Sequence, residues 1–197
     1  MQSPNSDANA HPRGSRLTLW LILAVCAAPI IGSYLAYYFW QPSGHVNYGE
    51  LIEPRLFPDI TLQTLDASPF RWWELKGEWI LVTADRAECD ERCRTKLIYM
   101  RQVRLAQGKD TGRIERVWIL VDDAPPDPAL LAEHPGLRVV RAGGLDVGQL
   151  LPAGQSLTEN IYVVDPLGHL MMRFPADPDP RRMLKDLSRL LRHSKWK

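Results

Sequence analysis

Hydrophobic positions along this chain change period from one stretch to the next. From Leu17 to Trp40 no charge interrupts the run, and its roughly 24 residues at about 1.5 Å each can cross a ~30 Å hydrocarbon layer as a helix. Ile60 to Leu65 alternates with period two and predicts a half-buried strand. Trp79 to Thr83 and Arg116 to Val121 are continuous apolar runs that predict strands covered on both faces, and Leu137–Val140, Ile161–Val164 and Leu170–Phe174 are shorter runs. Leu97, Ile98, Met100 and Leu105 recur near helical spacing, predicting a helix from about Asp90 to Gln107 that stops at Gly108. Pro128 to Glu133 reads as a short helix and Leu145 to Leu151 as a helical turn or two. Pro180 to Leu191 reads as an amphipathic helix with Met183, Leu184, Leu187, Leu190 and Leu191 inward.

Between these runs lie the punctuation marks: Asp66-Ala-Ser-Pro69, Gly77, Asp122-Asp-Ala-Pro-Pro126 and Asp165-Pro-Leu-Gly168. Strands alternating with helices imply an α/β domain with a partly parallel sheet. The closing hairpin and helix resemble the back half of a thioredoxin-type fold. The expected architecture is therefore α/β and thioredoxin-like, a central mixed sheet flanked by helices, preceded by one N-terminal transmembrane helix. Its expected divisions are a polar, disordered cytoplasmic tail (1–16), the anchor (17–40), a Pro- and Gly-bearing linker (41–55) and the thioredoxin-like domain (56–197). Trp72 and Trp73 read as packing at the domain edge. There is no internal repeat.

Charge adds an orientation and removes a function class. Arg13 and Arg16 flank the start of the apolar run and the first charge after it is Glu50. The positive-inside bias then keeps the N-terminus inside and the domain outside, as in a bacterial-type inner membrane with a periplasmic domain. The run is longer than the core of a cleavable signal, and Tyr34, Tyr37, Tyr38 and Trp40 suit the far interface. With 24 basic against 23 acidic residues the net charge is +1, so the footprint of a nucleic-acid binder is missing.

Of the three cysteines, Cys26 falls inside the apolar run and reads as a small apolar residue. Cys89 and Cys93 follow the Trp79 strand directly. On a helix that spacing places both sulfurs on one face, where they can close a disulfide or bind one soft cation. The first helical turn favours thiolate over thiol. Arg86, Arg92 and Arg94 push the same way, and Glu88, Asp90 and Glu91 push back. The bland alternative, two buried apolar fillers, sits poorly with those polar flanks. Two thiols are too few for a closed zinc site and suit Cu(I) better.

The N-terminal anchor, Phe57-Pro-Asp-Ile-Thr-Leu62, Leu75-Lys-Gly-Glu-Trp-Ile-Leu-Val82, Cys89-x-x-x-Cys93, Val121-Asp122 and Ile161-Tyr-Val-Val-Asp-Pro-Leu-Gly168 come in one order. In that order the chain resembles Sco/SenC proteins, membrane-anchored thioredoxin-like factors that help assemble the copper centre of cytochrome c oxidase. The resemblance covers roughly Leu56 to Leu191. It departs from the family at Arg94, where a proline is usual, and in Gln155 to Asn160, which lacks the histidine that serves the family as third copper ligand. His169 is the candidate substitute, ahead of Met171, Met172, His134 and His45.

The resemblance implies a membrane-anchored factor for oxidase assembly, with Cys89 attacking and Cys93 resolving in thiol–disulfide exchange, and with Cu(I) as a possible cargo of the reduced pair. Expected partners are the membrane, a respiratory oxidase subunit or another thiol or copper protein, and no nucleic acid. A non-catalytic scaffold on the same fold is the alternative. A peroxidase would need an activated single cysteine with partners for peroxide, and no such motif surrounds Cys89.

Overall fold

The computed structural model describes residues 14–39, 47–151, 158–175 and 177–194, and the chain forms two compact units, Met1–His45 and Val46–Lys197. The expected tail up to Arg13, Trp40 of the aromatic cluster, and linker residues 41–46 with His45 lie outside the described residues. In the first unit α1 runs from Gly14 to Phe39. Within it, Arg16–Phe39 is long and apolar enough to cross a membrane, the one such helix among the described residues. Its large apolar side chains are exposed all round, and Cys26 is a free, exposed thiol on it.

The second unit contains β1 (Glu50–Leu56), β2 (Thr61–Thr64), β3 (Pro69–Arg71), β4 (Trp79–Asp85), β5 (Ile114–Leu120), β6 (Leu137–Arg141), β7 (Asn160–Val164) and β8 (His169–Pro175). They form one sheet in the order β1-β8-β7-β4-β5-β6-β2-β3. Neighbours β4, β5 and β6 run parallel and the other pairs antiparallel. Alternation along the strands divides the core in two. Leu81, Trp118 and Leu120 point to the face covered by α2 (Glu91–Leu105), α3 (Pro128–Glu133) and α5 (Pro180–His193), through Leu97, Met100, Leu130, Met183 and Leu187. Ile80, Val82, Val117 and Ile119 point to the other face, beneath Phe57, Leu62, Trp72 and the short α4 (Val147–Leu150). The mixed, thioredoxin-like sheet flanked by helices is the one expected.

The largest difference from the sequence reading is β1, which lies in the stretch read as linker. It pairs antiparallel with β8 along an outer edge. Pro54 interrupts its sequence pattern, and an edge strand tolerates proline because half of its backbone groups have no ladder partner. The connector after Asp66 likewise holds a short strand, β3, and a 3₁₀ turn over Trp72–Leu75.

The topology gives the sheet two unlike ends. Strand β4 runs up to Asp85, and β7 runs back beside it, pairing Tyr162 with Val82 and Val164 with Ile80. Whatever follows Asp85 therefore sits at one pole. The turn Asp165–Gly168, Phe57 and the Trp72 turn sit at the other.

Candidate functional site

At the first pole, β4 ends on Asp85 and α2 begins at Glu91. The intervening turn is held by the Ala87 N–H, which donates to Asp122 Oδ1 at 3.1 Å, and by the Cys89 N–H, which donates to the Arg86 carbonyl at 3.1 Å. Asp90 is the N-cap, its Oδ1 accepting from the Cys93 N–H at 2.9 Å. Cys89 thus precedes the helix, at a left-handed φ of 49°, and only Cys93 lies on it. The sequence reading set both on one helical face; the left-handed turn brings the sulfurs together instead.

Together they are: Cys89 and Cys93 form a disulfide with Cα atoms 5.1 Å apart. Both residues are buried, 3% and 1% exposed, although Arg86, Glu88, Asp90 and Glu91 around them are exposed. The polar flanks had suggested a solvent-facing pair. In the fold they form the lip, and the cysteines turn inward against Ala87 and Leu97. The bridge still borders a hollow of about 280 Å³, lined also by Asp85, Arg86, Glu88, Asp90, Val121 and Thr158.

Beneath the hollow lies a feature that sequence reasoning missed. Lys96, fully buried on α2, places Nζ 2.6 Å from Asp85 Oδ2 and also donates to the Thr158 carbonyl. The Thr83 hydroxyl lies 3.1 Å from the Asn160 carbonyl and 3.4 Å from Asp85 Oδ2. Burial pushes the Asp85 carboxyl from 3.8 up to about 6, and the charge of Lys96 offsets only part of that rise. Burial likewise pulls Lys96 below its ordinary value, with Asp85 opposing. The signal was present in the sequence: Lys96 shares the inward stripe of Cys93, Leu97, Met100 and Val103, and a lysine on such a stripe needs a buried anion.

His169 is not part of this site. It opens β8, pairs in register with Leu56, and sets Nδ1 3.2 Å from Asp165 Oδ2 at the opposite pole. Met172 is core and Met171 packs partly buried against it; neither lines the hollow. His134 is buried, and burial beside Arg101 and Arg116 lowers its pKa. Part of the Gln155–Asn160 stretch lies outside the described residues. Among the described residues no three His, Cys, Asp or Glu side chains gather as a metal site. The donors lining the hollow are the two sulfurs and the carboxylates of Asp85, Glu88 and Asp90.

Residues 79–194 match the family model described as a transmembrane-like, thioredoxin-like C-terminal domain. The chain belongs to that transmembrane-like, thioredoxin-like family. The matched span of this chain carries β4, the disulfide, Asp85, Lys96 and α5. No curated protein matches the chain. Among solved structures, copper-bound ScoI of Bradyrhizobium japonicum superposes with a TM-score of 0.53 at 20% identity, covering 68% of this chain and 99% of that one. Copper-bound yeast Sco1 gives 0.61 at 16% identity, covering 73% and 96%. The thioredoxin domain of a thiol-disulfide oxidoreductase from Bacteroides vulgatus gives 0.55 at 20% identity, covering 72% and 99%. At these identities the likeness is one of fold, and the Sco resemblance read from sequence holds at that level.

Proposed function

We propose that this protein is a membrane-anchored thiol–disulfide exchange factor of Sco-like fold, serving assembly of a respiratory oxidase. The observation that carries the reading is the Cys89–Cys93 bridge at the carboxyl end of a central strand, bordering a hollow above the Asp85–Lys96 pair. In the exchange a partner thiolate attacks Cys89 Sγ and the Cys89–Cys93 bond breaks. Cys93 leaves as a thiolate in the first turn of α2, where the helix favours negative charge. The partner's second thiol then displaces Cys89. Two electrons and two protons pass to the pair, and the partner dithiol leaves as a disulfide. The Arg16–Phe39 helix, free of charge from Leu17 onward, would hold the chain in the membrane, N-terminus inside by the bias of Arg13 and Arg16.

The reduced pair could also carry Cu(I) as cargo on two thiolates, a reading favoured by the copper held in two solved relatives of this fold. A measured reduction potential tests the main proposal. Exchange factors lie between roughly −270 and −120 mV, while structural disulfides fall below about −300 mV. We expect the first range. A value in the second, with Cys89→Ser and Cys93→Ser both leaving oxidase assembly intact, would leave the scaffold reading standing. Cu(I) titration of the reduced chain with and without Cys93→Ser tests the cargo.

A further inference from the structure

The outward side of α5 is cationic along its length. Helical spacing sets Arg181, Lys185, Arg189 and Arg192 on one stripe, opposite the buried Met183, Leu187 and Leu191. The helix carries five Arg or Lys residues and one acid, Asp186. That acid is turned inward, its Oδ2 accepting from the backbone N–H groups of Tyr48 at 2.7 Å and Gly49 at 2.8 Å. Arg181, Lys185 and Arg192 are exposed and form no ion pair with any described residue. Beside Arg192, Lys109 and Arg113 extend the basic surface around a polar hollow that also holds Asp110, the partner of Arg113. Since the whole chain has a net charge of only +1, this is charge gathered onto one face.

The chain from the apolar helix arrives on that same element. Asn47 Oδ1 accepts from Arg189 at 3.0 Å, the Tyr48 hydroxyl accepts from the Asp179 N–H at 3.0 Å, and the Arg182 guanidinium lies 4.6 Å from the Tyr48 ring centre. Asn47 comes eight residues after Phe39, the last residue of α1. Even fully extended, that length of chain spans at most about 29 Å. A cationic stripe tied so closely to a membrane-spanning segment stays within reach of the phosphate groups of the same bilayer.

We propose that the basic stripe of α5 docks on anionic phospholipid headgroups of the bilayer that α1 spans. The inference rests on the anchor reading above and is independent of the disulfide chemistry. Docking would lay the α2–α5 face along the membrane, so that the Cys89–Cys93 pole is presented sideways, toward partners embedded in the same bilayer. Each Lys or Arg near an anionic surface contributes roughly fivefold to partitioning. The interaction fades within a Debye length of about 8 Å at physiological salt.

The test uses the full chain in nanodiscs of phosphatidylcholine, with and without phosphatidylglycerol, and follows acylation of Lys185 by a water-soluble reagent. Exposed Lys76, beside Trp72 on the face of the sheet away from α5, is the internal control. On anionic discs Lys185 should react about tenfold more slowly, high salt should restore its rate, and Lys76 should react alike on both. Arg181→Gln with Arg192→Gln should remove most of the slowing while Lys76 stays unchanged. Equal Lys185 rates on both discs, with the chain retained, would overturn the docking and leave the anchor standing. Loss of the chain from neutral discs would overturn both. Slowing that requires added nucleic acid or an acidic polypeptide would assign the stripe to a macromolecule and overturn the lipid reading.

Discussion

The two poles of the sheet solve opposite problems with similar depth of burial. At the far pole Phe57 and Trp72 stack with ring centres 3.8 Å apart over Ile80, and with Leu56, Trp73 and Leu167 they line an apolar pocket of about 220 Å³. At the near pole the strand interior gives way to an acid, a lysine and two sulfurs. Burying apolar surface at the first gains roughly 25 cal/mol per Å². Burying an ion pair at the second costs desolvation that its own attraction need not repay. A fold that keeps such a pair beneath a disulfide is poorly explained by stability alone, whereas the far pole is well explained by it.

The sharpest way to break this contrast begins at the far pole. Trp72→Ala should cost about 3–5 kcal/mol of unfolding free energy and leave the reduction potential of Cys89–Cys93 unchanged. Urea unfolding together with a redox titration checks both halves. A potential that moved with Trp72 would join the two poles into one functional unit and undo the comparison.

Next in size is Lys96→Met. At pH 7 it leaves a buried carboxylate without its cation, which should cost about 3 kcal/mol. The cost should shrink in acid, because Asp85 can then take up a proton and become neutral. A loss that is the same at pH 5 and pH 7 would mean that Lys96 acts through packing.

A smaller effect follows from Asp85 in the unaltered chain. Its carboxyl rises from 3.8 to about 6 on folding, so the folded state binds the proton more tightly. That contribution to stability is fully present below pH 3.8 and is lost as pH rises through about 6, by at most about 3 kcal/mol. Glu78, at the far pole, is also raised by burial and bends the same profile. The assignment therefore rests on Asp85→Asn, which should flatten the slope between about pH 4 and 6. An unchanged slope would hand the effect to Glu78.

The legible parts of the fold were those written within a single element. The runs Trp79–Thr83 and Arg116–Val121 declare themselves by unbroken apolar character, the helix around Cys93 and the amphipathic stripe of α5 by period, and the structure has all four. Strand β1 was hidden because its pairing partner lies more than 100 residues away on β8 and Pro54 masks its local pattern. The Asp85–Lys96 pair was hidden for a related reason: each residue is ordinary in its own element, and only the packing of α2 on β4 joins them. Burial of the cysteines was misjudged from charged neighbours that line the rim. The place of His169 could have been deduced from topology, since a hairpin turn that follows a strand antiparallel to β4 must lie at the end of the sheet away from Asp85.

That last deduction supplies the mildest prediction. His169 and Asp165 form a partly exposed pair, 38% and 20% accessible, of the kind worth about 0–1 kcal/mol. Asp165 also accepts the backbone N–H groups of Leu167 and His169, so the turn does not depend on the imidazole. His169→Ala should therefore change unfolding free energy by less than about 1 kcal/mol and leave both the disulfide potential and any Cu(I) affinity of the reduced chain where they were. Cys93→Ser, measured beside it, should abolish both. If copper affinity instead fell with His169, the metal would have to be held at the pole opposite the sulfurs, by Asp165 and its turn, and the near pole would retain only its redox chemistry.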